Sequence, residues 1–386
     1  MSDTAFNLLK PLISHHRTPA VWFADENALH TALALQPPLE GLSVICNRYD
    51  IYRQFVAARF DCRFTDFTQG DIPNDSLKQV FYRISKEKPI AHHIINLSYR
   101  LLQVGGELVL CGEKNQGIKS YFDKAKKRFG SDATLEKHGT VYLTRLQKSP
   151  PPANGPDIKP PDDKALDDLD YHRIRLIAEQ NGTPIYSKPG IFGWNKIDQG
   201  SAFLIENLPR FLQRLSLHRS QTHNNNPPTS VLDLGCGYGY LMIAGIDAFV
   251  GGKSDSGIRG DSGIKDKSAF RFVATDNNAA ALRAARYNFL HRQLPVDVVA
   301  DDCGAGIDEH FDIIICNPPF HQGFSIDGGL TDKFLQNTRR LLSSDGAALF
   351  VVNRFIALER KAKAYFPHIE ILAENRSFKI VTVTSQ

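Results

Sequence analysis

The sequence predicts an α/β protein built from two tandem doubly wound domains. Three observations carry that expectation. From Ser230 onward, short apolar runs alternate with stretches of helical periodicity, the pattern of a parallel sheet with helices on both faces. The chain has 386 residues, more than one average domain holds, and a Pro/Asp-rich stretch at 149–170 divides it. Finally, residues 101–110 (LLQVGGELVL) echo residues 341–350 (LLSSDGAALF), each downstream of another apolar run, as a duplicated α/β domain would show.

In residues 1–148 the runs at 20–24, 42–46 and 79–83 are rich in apolar and β-branched residues and are predicted as strands. Residues 91–102 have helical periodicity, which Gly105 and Gly106 break before a strand at 107–112. Residues 120–129 read as a basic amphipathic helix, and 140–146 close the domain as a strand. The stretch 149–170, SPPPANGPDIKPPDDKALDDLD, has no period and reads as an extended, solvated linker. A second domain is expected over 171–386.

There, residues 202–216 are helical and 218–229, with three consecutive Asn and two Pro, read as a loop. The strand 230–234 runs into Gly235-Cys236-Gly237-Tyr238-Gly239 and a helix from Tyr240. A polar insert at 251–268 reads as mobile. Then come a strand at 270–276 ending in Asp276, a helix at 279–291, and a short strand at 297–300 followed by Asp301 and Asp302. The apolar run 311–316 is stopped by Asn317-Pro318-Pro319-Phe320, because neither proline can donate to a ladder. A helix at 332–342, a turn at 343–346 and a strand at 347–352 continue the alternation.

Composition excludes several classes. With 42% hydrophobic and 23% charged residues the chain reads as a soluble globular protein. No apolar run reaches the roughly 18 residues that span a bilayer, and the first residues lack a signal-peptide layout. The six cysteines form no C-x-x-C pair and read as reduced thiols, not as a zinc site or disulfide framework. A cytoplasmic protein without a metal is expected. Net charge is +4, but residues 1–148 carry 20 Lys and Arg against 15 Asp and Glu, with Lys124, Lys126, Lys127 and Arg128 clustered. That distribution fits a nucleic-acid surface or a solvated helix face.

The chemistry concentrates at predicted strand ends, where open α/β sheets bind ligands. The Gly-rich turn lets the backbone bend sharply and approach a ligand, and alone it fits NAD, FAD or S-adenosylmethionine. Asp233, two residues before Gly235, suits a cofactor with a cationic amine. Asp276 can accept from both hydroxyls of a ribose, and Asp302 from an adenine amino group. The gap from Gly239 to Asp276 exceeds the usual spacing of about 20 residues, and the insert accounts for it. At Asn317-Pro318-Pro319-Phe320, the Asn oxygen and the Pro carbonyl can accept the two N–H bonds of a planar NH2 group while Phe320 stacks on its face.

Together these elements resemble the class I S-adenosylmethionine-dependent methyltransferases, whose fold is Rossmann-like. The stretches Gly190-x-Phe192-x5-Asp198-x-Gly200-Ser201, Leu232-Asp233-Leu234-Gly235-Cys236-Gly237 and Asn317-Pro318-Pro319-Phe320-His321 resemble the RsmC/RlmG group of ribosomal RNA guanine-N2 methyltransferases. In the first half, Tyr82-x3-Lys86-x-Lys88-Pro89 and Gly105-Gly106-x5-Gly112-Glu113-x3-Gly117 are similar to RsmC in particular. The resemblance implies two methyltransferase-like domains, the first degenerate and serving RNA binding or support. It implies a monomer that transfers a methyl group from S-adenosylmethionine to N2 of a guanine in 16S rRNA of the 30S subunit. Asn317, Pro318 and Phe320 would then hold the base, and His321 and Phe192 would border it. Asp233, Gly235, Gly237, Gly239, Asp276 and Asp302 would hold the cofactor, and Lys124, Lys126, Lys127 and Arg128 the RNA. The alternatives are a guanine of 23S rRNA, an adenine-N6 or glutamine-N5 acceptor, or a non-catalytic RNA-binding assembly factor. The chain departs from the group in its insert, its long linker, and Asp302 where Asn is frequent.

Overall fold

The computed structural model describes residues 3–29, 34–36, 39–150, 166–180, 182–221, 227–250, 270–319 and 328–385. The insert 251–268, most of the linker, Phe320 and His321 lie outside the described residues. The chain divides into two compact units, Met1–Arg173 and Ile174–Gln386.

The first unit runs α1 (Thr4–Ser14), β1 (Ala20–Ala24), β2 (Leu42–Cys46), α2 (Tyr49–Ala57), β3 (Asp61–Phe64), β4 (Leu77–Arg83), α3 (Lys88–Leu101), β5 (Leu102–Glu113), α4 (Ile118–Phe129), β6 (Glu136–His138) and β7 (Val141–Gln147). Its sheet has the order β3-β2-β1-β4-β5-β7-β6. The strands are parallel through β5, and β7 and β6 join antiparallel. β1 is buried along its whole length because both faces are covered: Val21 and Phe23 enter one core, and Ala20, Trp22 and Ala24 the other.

The second unit opens with an antiparallel hairpin, β8 (Arg175–Gln180) and β9 (Thr183–Ser187). It continues with α5 (Gln199–Gln221), β10 (Ser230–Leu234), α6 (Tyr240–Phe249), β11 (Arg271–Asp276), α7 (Ala279–His291), β12 (Val296–Ala300), β13 (Phe311–Cys316), α8 (Gly328–Leu341), β14 (Leu342–Asn353), α9 (Leu358–Ala362), β15 (His368–Glu374) and β16 (Phe378–Thr384). The sheet order, β12-β11-β10-β13-β14-β16-β15, repeats the first. Along β13, Ile313 and Ile315 enter one core, Ile314 and Cys316 the other. Among the described residues no helix is long and apolar enough to cross a membrane.

The sequence echo marks the same local structure twice. Leu77 lies opposite Leu102 and Gln79 opposite Glu107, so two steps of β4 face five of β5. Likewise Phe311 lies opposite Leu342 and Ile313 opposite Ala347. Each irregularity shifts the register by three residues where a helix passes directly into its strand. A Cβ on Gly106 would come within 2.9 Å of the Leu77 carbonyl, and one on Gly346 within 2.9 Å of the Phe311 carbonyl. Backbone cannot yield there, so both positions need glycine. The expected turn at 343–346 is therefore part of β14.

Two further expectations change, and one helix is new. The loop expected from 218 starts later, because α5 runs to Gln221. The helix α1, capped by Asp3 through Ala5 N and Phe6 N, carried no recognised start signal. The end of the linker is not solvated: Leu166 and Tyr171 are buried in the first unit. There the Tyr171 hydroxyl donates to Asp66 at 2.7 Å, and Asn96 donates to the Leu166 carbonyl at 2.9 Å. Two apolar side chains and these bonds hold 166–173 to the first unit, so the second unit begins at Ile174, not at 171.

Candidate active site

The candidate site of the second unit is built on the Gly-rich turn after β10, at the strand ends where the sheet order reverses. Gly235, Gly237 and Gly239 have φ of +82°, +56° and +87°, the left-handed region. At Gly239 a Cβ would also lie 2.6 Å from the Phe289 ring of α7, so the turn fixes how closely α7 packs. At Gly237 a Cβ would meet nothing within 4 Å, so a side chain there would enter open space over the loop. The loop is tied to the next strand. Gly235 N and Cys236 N donate to the Thr275 carbonyl at 2.9 and 2.8 Å. Gly237 N and Asn278 N donate to the two oxygens of Asp276 at 2.9 and 2.8 Å. A carboxylate has about four acceptor positions, so hydroxyl donors from a ligand could share these oxygens with the N–H groups.

Asp233 lies beneath the loop with 0% exposure, and among the described residues neither of its oxygens has a hydrogen-bond partner of ordinary geometry. Burial, then the charge of Asp276, pushes its carboxyl up to about 8, while the Met242 backbone N–H pulls the other way. A buried acid with so little hydrogen bonding is costly, and a cationic group fixed nearby would relieve the cost. The residues present therefore fit a cofactor with a ribose and a cationic amine. At the end of β12, Asp302 is ion-paired with Lys333, so its carboxylate is partly engaged. Asp301 accepts from Gly306 N at 2.9 Å, and burial raises its carboxyl.

Asn317 follows β13, next to β10 in the sheet. Its Nδ2 donates to Asp198 Oδ1 at 2.7 Å and to Ser201 Oγ at 2.8 Å. Asp198 Oδ1 also accepts from Ser201 N at 2.8 Å, capping α5. Both N–H bonds of the Asn317 amide are thus used. Pro318 is buried and Pro319 exposed. Phe192 is 80% exposed, in a turn whose Gly190 carbonyl accepts from Asn278 Nδ2 at 2.9 Å, so it borders the Asp276 side. Sequence reasoning gave no role to Asp198 or Ser201, although D-x-G-S before a helix is a capping signal. It also missed Phe355, 85% exposed just beyond β14. Among the described residues no cluster of His, Cys, Asp and Glu could hold a metal ion.

The first unit lacks these features. β2 ends at Cys46 and α2 begins three residues later, as β11 ends at Asp276 and α7 begins three residues later. With that frame, Ala24 lies opposite Cys46, and Phe23 opposite Tyr82. Leu234 lies opposite Thr275, and Asp233 opposite Ile315. Cys46 then stands where Asp276 stands, and Arg83 where Asn317 stands. Buried Asp25 follows β1 in place of the glycine turn. Of the basic cluster on α4, Lys127 is exposed and Lys124, Lys126 and Arg128 are half-buried. Lys126 lies 5.9 Å over the Phe122 ring, and Arg128 lies 4.9 Å over the Tyr99 ring.

Known proteins resemble this chain over most of its length. The model of the methyltransferase small domain matches residues 182–249 and 257–382, and that of the methyltransferase small domain N-terminal region matches 14–156. The ribosomal RNA small subunit methyltransferase C of Shewanella halifaxensis is 26% identical over 348 residues, covering 88% of this chain and 86% of that one. The protein of the same name from Aeromonas hydrophila is 26% identical over 347 residues, covering 88% and 86%. A solved structure titled as the T. thermophilus 16S rRNA N2 methyltransferase (RsmC) with AdoMet and guanosine superimposes with a TM-score of 0.74. It is 20% identical and covers 100% of this chain and 92% of that one. That likeness shows the fold, two methyltransferase-like domains. The glycine turn, the Asp276 tether and Asn317 all fall within the stretches matched by the small-domain model, and the chain belongs to the methyltransferase small domain family.

Proposed function

We propose that the protein is an RsmC-type enzyme that transfers a methyl group from S-adenosylmethionine to N2 of a guanine in 16S rRNA of the small subunit. The observation that carries the reading is the Asn317 amide, held at a strand's carboxyl end with both N–H bonds occupied, so that its oxygen, which meets no donor among the described residues, is the group turned to a ligand. Relatives along most of the chain are named as ribosomal RNA small subunit methyltransferases, and the similar solved structure is that of a 16S rRNA N2 methyltransferase.

S-adenosylmethionine supplies the methyl group as an electrophile. The chain's own residues hold the partners. Asp276 would take the ribose hydroxyls, the loop Gly235–Gly239 would leave room for the cofactor, and Asp233 would hold its cationic amine. The guanine, turned out of its RNA stack, presents N2 to Asn317 Oδ1 and the Pro318 carbonyl, and Phe320 stacks on its face. Two acceptors on the N2 hydrogens hold them off the line of attack and favour a more tetrahedral nitrogen. Catalysis is then mainly positioning. Alkylation makes the nitrogen acidic, so no strong base is required, and His321, four residues after Asn317 in the sequence, would relay the released proton. Phe192 and Phe355 offer faces to neighbouring bases.

The first unit, in this reading, neither binds the cofactor nor catalyses; it grips structured RNA through α4 and supports the second unit. Cys46, Arg83 and Asp25 stand there in place of the acid, the amide and the glycine turn. The enzyme acts as a monomer in the cytoplasm.

The test is labelled methyl transfer to 30S subunits, naked 16S rRNA, 50S subunits, DNA and release factor, with the product nucleoside identified. N2-methylguanosine in 16S rRNA, lost in Asn317→Ala with cofactor affinity nearly unchanged, is the expected result. Label on adenine N6 or on glutamine would overturn the reading.

A further inference from the structure

We propose that Asp198 and Ser201 are positioning residues for the methyl-transfer step, fixing the Asn317 side chain in the one orientation that presents its oxygen to the target amine. The inference rests on the methyl-transfer reading and assigns the device that makes Asn317 competent.

A side-chain amide has two faces of similar size and opposite hydrogen-bonding character. Left alone beside a cleft it would rotate, offering its NH2 to a substrate NH2 part of the time. Asp198 forbids this, because an ionised carboxylate only accepts hydrogen bonds and so demands the nitrogen. The contact at 2.7 Å is charge-assisted, and Ser201 Oγ takes the second hydrogen at 2.8 Å. The carboxylate is itself fixed. Asp198 Oδ1 accepts from Ser201 N at the start of α5, and Ser201 is buried. A Cβ on Gly200 would lie 3.1 Å from Asp198 Oδ1 and 3.1 Å from the Phe378 ring, so acid, helix start and ring close on one another. The negative charge also draws density toward the Asn317 oxygen and makes it a stronger acceptor.

The first unit carries the same link with a different end. Asp3 caps α1, the helix before the first strand, by accepting from Ala5 N and Phe6 N. Its other oxygen is ion-paired at 2.7 Å with Arg83, the counterpart of Asn317. Arg83 also lies 3.7 Å from Asp25 and is buried. Both copies thus join a helix-capping acid to the end of the fourth strand. A guanidinium has no acceptor to offer, whereas an amide held by its nitrogen must offer one. The capping acid belongs to the shared frame, and the residue it holds decides whether the frame can bind an amine.

The test uses the full chain and separates capping from positioning. Asp198→Ser keeps a good helix cap but is too short to reach Asn317. We expect kcat to fall at least 30-fold, with KM for rRNA and Kd for S-adenosylmethionine within threefold of wild type and thermal stability retained. Asp198→Asn keeps both the cap and an acceptor and recovers most of that loss. Ser201→Ala leaves the backbone cap intact and lowers kcat threefold to tenfold. A readout independent of turnover is the Asn317 side-chain NH2 signal in the 15N spectrum, identified by its absence in Asn317→Ala. It exchanges slowly with solvent in wild type and rapidly in Asp198→Ser. Unchanged kcat and exchange in Asp198→Ser overturn the proposal, as does a loss of kcat that only follows lost cofactor affinity or stability. If wild type methylates an amine other than guanine N2, the substrate reading falls while the ratio of variant to wild type still judges the positioning claim.

Discussion

Replacing Asp233 with Asn should make the cofactor-free protein more stable above neutral pH and less able to bind its cofactor. An Asp in an unfolded chain loses its proton near pH 4. Folded Asp233, fully buried beside Asp276, holds its proton up to about 8. Between those values the unfolded chain binds fewer protons than the folded one, so stability falls by about 1.4 kcal/mol per pH unit as pH rises. The contribution is complete below about pH 4 and gone above about pH 8, a span on the order of 5 kcal/mol. The amide in Asp233→Asn has no proton to lose, so the slope disappears. That amide, left without acceptors in the same burial, costs about 1–3 kcal/mol at every pH. The two stability curves should therefore cross between about pH 4.5 and 6, with the variant ahead by about 2–4 kcal/mol at pH 8. Urea unfolding at fixed ionic strength from pH 5 to 8 reads this directly. A difference that stays flat with pH would mean that Asp233 is already ionised and paired in the free protein, and would falsify the account. The same carboxyl must ionise to meet a cationic amine. Calorimetry in buffers of different ionisation enthalpy should thus show release of about 0.9 proton per cofactor bound at pH 7.

Asp276→Ala should weaken cofactor binding by about 1–3 kcal/mol, because the ribose loses its acceptor and the Gly237 N–H its partner; titration should give one site per chain, and two would refute the assignment to the second unit alone. Replacing Lys124, Lys126, Lys127 and Arg128 with Ala should weaken rRNA binding and flatten its salt dependence, by about 0.7–0.9 in the log–log slope for each phosphate no longer neutralised. Cofactor binding should survive that change, and normal methylation across a salt series would leave α4 as a solvated face.

Much of the fold was legible in the sequence because local chemistry sets it. Apolar runs such as Phe311–Cys316 can be strands only where both faces are covered, and Pro318 and Pro319 must end one. The helix Ala279–His291 matches its periodicity to the residue. The elements that were missed lack such signals. The hairpin β8–β9 is only partly buried along most of its length, so its residues carry little period-two contrast. The tie of Leu166 and Tyr171 to the first unit comes from partners such as Asn96, 70 residues away, and Asp66, 105 residues away.

By itself the sequence determined that Gly235–Gly239 would turn sharply and that Asp276 and Asn317 would stand at strand ends, since each follows from backbone sterics and strand period at neighbouring residues. Tertiary structure alone decided what those side chains meet. Asp198 lies 119 residues from Asn317 and reaches it only because α5 starts beside the end of β13. Asp233 is an ordinary acid in the sequence and becomes one titrating near 8 only when the glycine turn and α6 close over it. Asp3 and Arg83 are two charges among many in the chain, and become an ion pair in the place of the Asp198–Asn317 bond only when strand order brings them together. Desolvation and hydrogen-bond partnership depend on every element packed around a group, so spacing along a chain does not encode them locally.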